Sequence, residues 1–179
     1  MATTQILGTK KTPIRFSFVH VFEPSSMQEG GQLKYSTAIL IDKDDNETIR
    51  KVKEGVDEAT AAFKAKNAGK LPRNFKTPLR DGDDERPDDA TYENKMFLNA
   101  SSNNRPGVVD TNREELMSND EFYSGCFGRA AVNFYPFDVS GNKGVACGLN
   151  HVQKTAEGER LSGGLSLEDA FKDEEDDLL

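Results

Sequence analysis

The sequence has no tryptophan, two cysteines, two histidines and no run of about 18 apolar residues. Without such an apolar run we expect no membrane-spanning helix. Residues 1–11 are polar and lack the apolar stretch that a secretory signal requires. We therefore expect a protein that stays in a cytoplasm.

Few residues are available for metal or redox chemistry. Cys126 and Cys147 lie in apolar, strand-like runs, where we expect two buried, reduced thiols. A zinc site needs several closely spaced ligands, and His20 and His151 are the only histidines. The sequence also lacks a glycine-flanked nucleophile and a Gly-rich phosphate loop. We expect no metal, no cofactor and no enzymatic activity.

The negative charge is concentrated in two segments. Residues 167–179 and residues 81–89 carry −6 and −5 of the net charge of −8, which leaves +3 for the rest of the chain. A strongly acidic protein is a poor partner for nucleic acid, but a mildly basic body is not. Residues 59–80 contain no acid and six cations, namely Lys64, Lys66, Lys70, Arg73, Lys76 and Arg80.

Hydrophobic periodicity predicts five strands and one long helix. The strands cover residues 13–22, 33–42, 92–100, 126–137 and 144–153, and residues 140–143 form a hairpin turn between the last two. A stripe of apolar residues at helical spacing runs from Asp45 or Asn46 to about Lys66; it comprises Ile49, Val52, Val56, Ala59 and Phe63. The pattern predicts a mainly β protein, a five-stranded antiparallel OB-like barrel with the helix between strands two and three. This domain covers residues 1–163, and residues 164–179 form a flexible, disordered acidic tail.

Aromatic and basic residues share several predicted faces. On the fourth strand the even positions suit a barrel interior, whereas Arg129, Tyr135 and Phe137 lie on the other side. Rings that stack on bases, edged by cations that follow the phosphates, are typical of proteins that hold single strands. The candidate stacking residues are Phe75, Phe97, Tyr135 and Phe137, with Tyr123 a weaker one; the candidate backbone contacts are Arg73, Lys76, Arg80, Lys95, Arg129 and Lys143.

Purely structural interpretations of the same residues stay open. Any of these rings could cover a small second core, and a run of cations is often only a solvated face. The period of two does not say which side of a strand is wet. The acidic residues 81–89 favour a hydrophilic turn over a metal site, because they lack the ligand spacing of a calcium loop.

Three segments resemble the family of tailed-bacteriophage single-stranded DNA-binding proteins, once known as an uncharacterised conserved phage domain. They are PLRDGD (78–83), FYSGCFGRAAVNFYPF (122–137) and GNKGVACGLNHVQ (141–153), and the similarity extends over residues 11–163. The resemblance implies an OB-fold that binds single-stranded DNA without sequence preference in phage DNA replication, recombination and repair. It also implies a location in the cytoplasm of the infected bacterial host.

The resemblance further implies an acidic C-terminal tail that competes with DNA and recruits replication proteins such as a polymerase or helicase. The tail residues here are Asp173, Glu174, Glu175, Asp176, Asp177, Leu178 and Leu179. Proteins of this type end on one or two hydrophobic residues, and the Leu-Leu ending leaves the partner open.

Other functions stay open at this point. One alternative is a phage structural or assembly protein, and another is a metal-dependent nuclease or recombinase that uses residues 81–89. RNA is a further ligand that stacking residues would accept. A homodimer is one arrangement that the sequence leaves open.

Overall fold

The computed structural model describes residues 4–26 and 30–161. Within these residues there are eight strands, two α-helices and one 3-10 helix. They are β1 (Thr4–Leu7), β2 (Ile14–Ser25), β3 (Lys34–Asp42), α1 (Asn46–Lys66), β4 (Arg80–Asp81), α2 (Gly82–Glu85), the 3-10 helix (Ala90–Tyr92), β5 (Lys95–Ser102), β6 (Gly107–Val109), β7 (Phe127–Val139) and β8 (Asn142–Ala156). The predicted tail, residues 164–179, and its boundary lie outside the described residues.

The five long strands pair edge to edge in a closed ring. β2 pairs with β3, β3 with β5, β5 with β8, β8 with β7, and β7 again with β2. The β2–β7 and β5–β8 contacts each join only two residue pairs, so the ring is not a regular barrel. The predicted mainly β fold, with one long helix between the second and third of these strands, is confirmed.

One pair in the ring is parallel, which corrects the prediction of an antiparallel barrel. Strands β5 and β8 run in the same direction, and the other four pairs of the ring are antiparallel. The reason is geometric. Strand directions that alternate around a closed ring need an even number of strands, and five strands force at least one parallel pair.

Three short strands extend the ring and were absent from the sequence prediction. β1 pairs antiparallel with β7, β6 pairs parallel with β8, and the two residues of β4 pair with β5. Segments of two to four residues are too short to show a period of two. They become strands because the edges of long strands offer them backbone partners.

Helix α1 begins and packs as its sequence predicts. The Asp45 carboxylate accepts the Thr48 N–H at 3.1 Å and so caps the first turn. The buried stripe of α1 includes Val52, Ala59 and Phe63, and the helix packs against β7, β1 and β8. Gly55 lies so close to β7 that a Cβ there would approach the Phe134 ring to 2.2 Å.

The core fills the ring with aliphatic and aromatic side chains. The even positions of β7 from Gly128 to Phe134 are buried, as predicted, and Phe16 packs against Phe122 with ring centres 4.8 Å apart. Both cysteines are buried and free, also as predicted, and burial raises the pKa of Cys126 to about 11. Among residues 4–26 and 30–161 no helix is long and apolar enough to cross a membrane.

Candidate nucleic-acid interface

A main groove crosses the outer face of the ring where β2, β3 and β5 lie side by side. It encloses about 720 Å³. Lys34, Ser36 and Ala38 of β3 and Asn99 and Ser101 of β5 alternate with core residues such as Ile39 and Leu98, so they project away from the core. The wall includes Phe18 and His20 from β2, Lys34, Ser36 and Ala38 from β3, Asn99 and Ser101 from β5, and Arg86 from the connection before β5.

A smaller pocket of about 190 Å³ continues the main groove towards the β7–β8 hairpin. Asn99 and Ser101 line both cavities. The other walls of the smaller pocket come from residues 76–80 and from the hairpin strands, and they include Lys76, Arg80, Phe137 and Ala146. The two cavities together are called the outer groove below.

Phe18 enters the outer groove through a β-bulge. Ser17 pairs with Ala38 but His20 pairs with Ser36, so β2 carries one extra residue between these pairs. Phe18 lies in this bulge with a φ of 49°, and 45% of its surface is exposed. A bulky residue rarely adopts this left-handed backbone, and bulges often redirect side chains beside functional sites. The bulge therefore presents an aromatic ring where a regular strand would bury it.

Arg86 lies against three aromatic rings. Its guanidinium carbon is 5.0 Å from the ring centre of Phe18, 4.8 Å from that of Tyr92 and 5.9 Å from that of Phe97. Tyr92 and Phe97 form a small buried cluster with Leu40. Cation–π contacts of this kind hold a guanidinium in place without neutralising it. Within the described part of the chain Arg86 forms no ion pair, and it lines the main groove.

Residues 76–80 are fastened to the β7–β8 hairpin. The Lys76 N–H donates to the Lys143 carbonyl at 2.9 Å, and the Val145 N–H donates to the Lys76 carbonyl at 2.8 Å. The Lys76 ammonium donates to Asn142 at 3.0 Å. These bonds hold Lys76 at the edge of the pocket that Phe137 lines.

The acidic residues 81–89 form local ion pairs and helix caps. Lys43 Nζ lies 2.8 Å from the Asp81 carboxylate and 2.6 Å from that of Asp83, and its hydrogen bonds lower the pKa of both. Glu85 pairs with Arg80 at 2.6 Å. No group of three or more His, Cys, Asp or Glu side chains in the described residues is arranged to hold a metal ion.

Three predicted site residues line the outer groove, namely Lys76, Arg80 and Phe137. Two more adjoin it. Lys143 pairs with Lys76 through the backbone, and Tyr135 lies on the outer face of β7 opposite Ala146 with 37% of its surface exposed.

Two residues of the basic connection lie near this region without lining the groove. Arg73 is exposed to solvent. Phe75 is half-buried and packs on Phe63 of α1, with ring centres 4.9 Å apart. Part of the Phe75 ring is therefore used to attach the connection to the helix.

Two predicted stacking residues are buried within the fold. Phe97 is on the outer face of β5, but only 5% of its surface is exposed, because residues 80–92 fold over it. Tyr123 is 7% exposed, and its hydroxyl donates to Glu157 and accepts the Gly158 N–H. Neither ring offers a face to a base.

Two predicted phosphate contacts also lie outside the outer groove. Lys95 pairs with Asp42 on the neighbouring strand. The Arg129 guanidinium donates two hydrogen bonds to the Gln153 side chain, at 2.8 and 2.7 Å. Neither side chain lines either of the two cavities.

The residues that sequence reasoning missed are Phe18, Lys34 and Arg86. Phe18 has the same parity as the core residue Phe16, so a regular strand predicts that it points inwards, and only the bulge reverses it. Arg86 appears in the sequence as one base within an acidic run. No local pattern shows that this run folds over β5.

A family model described as "Enterobacter phage Enc34, ssDNA-binding protein" matches residues 5–179. The chain belongs to this family. The resemblance that the sequence motifs predicted is therefore confirmed, and the match includes residues beyond the described part of the structure.

Known relatives agree with this assignment. The chain is 33% identical over 184 residues to the p50 protein of Acyrthosiphon pisum secondary endosymbiont phage 1, covering 95% of this chain and 97% of that one. The structure of the single-stranded DNA-binding protein from bacteriophage Enc34 in complex with ssDNA matches with a TM-score of 0.71 and 26% identity, covering 84% of this chain and 87% of that one.

A more distant structure shares the fold. This is gp2.5, a single-stranded DNA-binding protein encoded by bacteriophage T7, with a TM-score of 0.61 and 13% identity; the match covers 97% of this chain and 95% of that one. At this identity the likeness concerns the fold alone.

Proposed function

We propose that this protein is a non-enzymatic binding module that holds single-stranded DNA, without sequence preference, in the outer groove. The observation that carries the proposal is one continuous groove with aromatic rings and cations in its walls. Membership of the Enc34 family and the likeness to a relative solved with ssDNA support the same ligand.

The rings account for preference for a single strand. Phe18 and Phe137 line opposite parts of the outer groove, and Tyr135 lies beside Phe137 on β7. Bases can stack on such rings only when they are unpaired and turned outwards. Stacking contributes about 1–3 kcal/mol per base and tolerates every base, since each has a π face.

The cations account for contact with the phosphates. Lys34 and Arg86 line the main groove, and Lys76 and Arg80 line the smaller pocket. Phosphate contacts release counterions, and for single strands the logarithm of affinity falls with that of salt by about 0.7 per contact. Four contacts predict a slope of about −3.

The groove charge can be tested by the double substitution Lys76→Ala/Arg80→Ala. We expect weaker binding of fluorescent oligo-dT and a salt slope shallower by about 1.4. The matched control is Lys10→Ala/Lys53→Ala, which removes two exposed lysines that do not line the groove. Equal losses of affinity in the two double variants would show that the lysines and arginine act only through the net charge of the protein and not through contacts in the groove.

We propose a role in phage DNA replication and recombination in the cytoplasm of the infected bacterium, with the acidic tail as internal competitor and docking element. Residues 167–179 carry a charge of −6, and a tethered acidic segment acts at high effective concentration on a basic groove. Deleting residues 167–179 is expected to tighten oligo-dT binding at low salt. Unchanged affinity would contradict the competitor role and leave binding in the groove untouched.

A further inference from the structure

We infer that Ser124 is a positioning residue for Phe18: its hydroxyl holds the β2 bulge that presents the ring to the strand. This inference rests on the proposed function and assigns a role to the Tyr-Ser-Gly segment of the connection between β6 and β7. It starts from the extra residue between Ser17 and His20, which breaks the backbone ladder with β3.

Side-chain hydroxyls replace the broken ladder on both sides of Phe18. The Val19 N–H donates to Ser124 Oγ at 3.0 Å. The Thr37 hydroxyl lies within hydrogen-bond distance of the Ser17 carbonyl, at 3.2 Å, and of the Ala38 carbonyl, at 3.1 Å. Ser124 and Thr37 are both buried, so water cannot take over their bonds without opening the fold.

The loop that carries Ser124 is fixed to β2 independently of this bond. The Gly125 N–H donates to the Phe16 carbonyl at 2.7 Å, and the Phe16 N–H donates to the Cys126 carbonyl at 3.0 Å. Gly125 itself has a φ of 117°, and a Cβ there would lie 1.9 Å from the Glu159 carbonyl oxygen. The Ser124 hydroxyl is therefore held beside the bulge by bonds other than its own.

The consequence is a defined direction for Phe18. In a regular strand Phe18 would point inwards like Phe16, two residues earlier. With the bulge held, 45% of Phe18 is exposed and its ring lies 5.0 Å from the Arg86 guanidinium. Without the Ser124 hydroxyl, the Val19 N–H lacks its partner and the left-handed conformation of Phe18 loses support.

The test combines affinity with a double-mutant comparison, using the full chain and fluorescent oligo-dT. We expect Phe18→Ala to weaken binding about tenfold and Ser124→Ala about threefold to tenfold. If Ser124 acts through Phe18, Ser124→Ala has no further effect in the Phe18→Ala background. Independent, multiplying losses would overturn the inference, because a merely structural role gives that result.

Amide hydrogen exchange provides a readout that does not depend on DNA. Ser124→Ala is expected to lose protection at the Val19 amide while other amides of β2 keep theirs, and unchanged protection would overturn the inference. The control is Ser118→Ala, a serine of the same connection whose side chain bonds to Glu121 rather than to β2.

A second variant covers the case in which Ser124→Ala does not fold. Thr37→Val keeps the shape of the side chain and removes the hydroxyl that lies near the Ser17 and Ala38 carbonyls. It is expected to weaken oligo-dT binding in the same Phe18-dependent way, and wild-type affinity in folded Thr37→Val would overturn the inference. Failure of the wild-type chain to bind oligo-dT is a different outcome, which contradicts the proposed function itself.

Discussion

The guanidinium carbon of Arg86 lies 5.0 Å from the centre of the Phe18 ring, so a cation and an exposed ring meet on one wall of the outer groove. The two residues come from distant parts of the chain, a bulge in β2 and the connection before β5. Arg86 also lies over the buried ring of Tyr92, which fixes its position before any ligand arrives. In the proposed function, Arg86 binds a phosphate while Phe18 stacks on a base.

Substitution of Arg86 should therefore reduce both affinity and salt dependence. We expect Arg86→Ala to weaken oligo-dT binding about tenfold and to make the salt slope shallower by about 0.7, as for one lost phosphate contact. Arg86→Lys keeps the charge but loses the flat contact with the rings. Its affinity for oligo-dT should therefore lie between those of the wild type and Arg86→Ala. Arg50→Ala, on the exposed face of α1, is the control. A wild-type slope in Arg86→Ala would contradict this role.

Rings that line the outer groove and buried rings should respond differently to substitution. Phe137→Ala is expected to reduce affinity by about 1–3 kcal/mol with little change in stability. Tyr123→Phe removes the hydroxyl bonded to Glu157, so it should lower the midpoint of urea unfolding and leave affinity unchanged. If Tyr123→Phe weakened DNA binding in a fully folded protein, the assignment of Tyr123 to the fold would be wrong.

Gly55→Ala should destabilise the protein although alanine is the better helix former by about 1 kcal/mol. The added Cβ would approach the Phe134 ring to 2.2 Å, so the helix must shift on β7. We expect a net loss of about 1–3 kcal/mol in urea unfolding. Ala62→Gly, at an exposed position of α1, measures the helix propensity alone. A stabilised Gly55→Ala would show that α1 does not pack this closely.

The ion pairs of Lys43 predict a dependence of stability on acid pH. Lys43 holds the pKa of Asp81 and Asp83 below their usual 3.8. Their contribution to stability is therefore present above pH 3.8 and is lost as the pH falls through the lowered folded-state values. In urea unfolding, Lys43→Met should be less stable than wild type at pH 6, and the two should converge in acid. A difference in stability between wild type and Lys43→Met that stays constant down to pH 2 would contradict the ion pairs. The control is Lys53→Met.

The sequence predicts the ring and its helix because hydrophobic periodicity governs long elements. Helix α1 begins at Asn46, within a residue of its predicted start, since Asp45 is both a preferred cap and the residue before the apolar stripe. The strands β1, β4 and β6 form because the edges of neighbouring strands offer them backbone partners. No local sequence pattern predicts such pairing. The parallel β5–β8 pair likewise depends on closure of the whole ring.

The outer groove was partly predictable. Lys76, Arg80 and Phe137 follow from a basic connection and a hairpin, both of which are local features. Phe97 lies on the outer face of β5, as predicted, but residues 80–92 fold over it, and no local pattern of the sequence shows this. Phe18 was missed because one extra residue in β2 reverses the direction that alternation predicts.

The central claim is that the outer groove holds unpaired nucleotides. The most direct test is titration of fluorescent oligo-dT and of a duplex of equal length with the full chain, at 50 and 200 mM salt. We predict tight, salt-dependent binding of the single strand, with a slope of about −3 and little binding of the duplex. Equal affinity for both forms, or no salt-dependent binding of oligo-dT, would contradict the account.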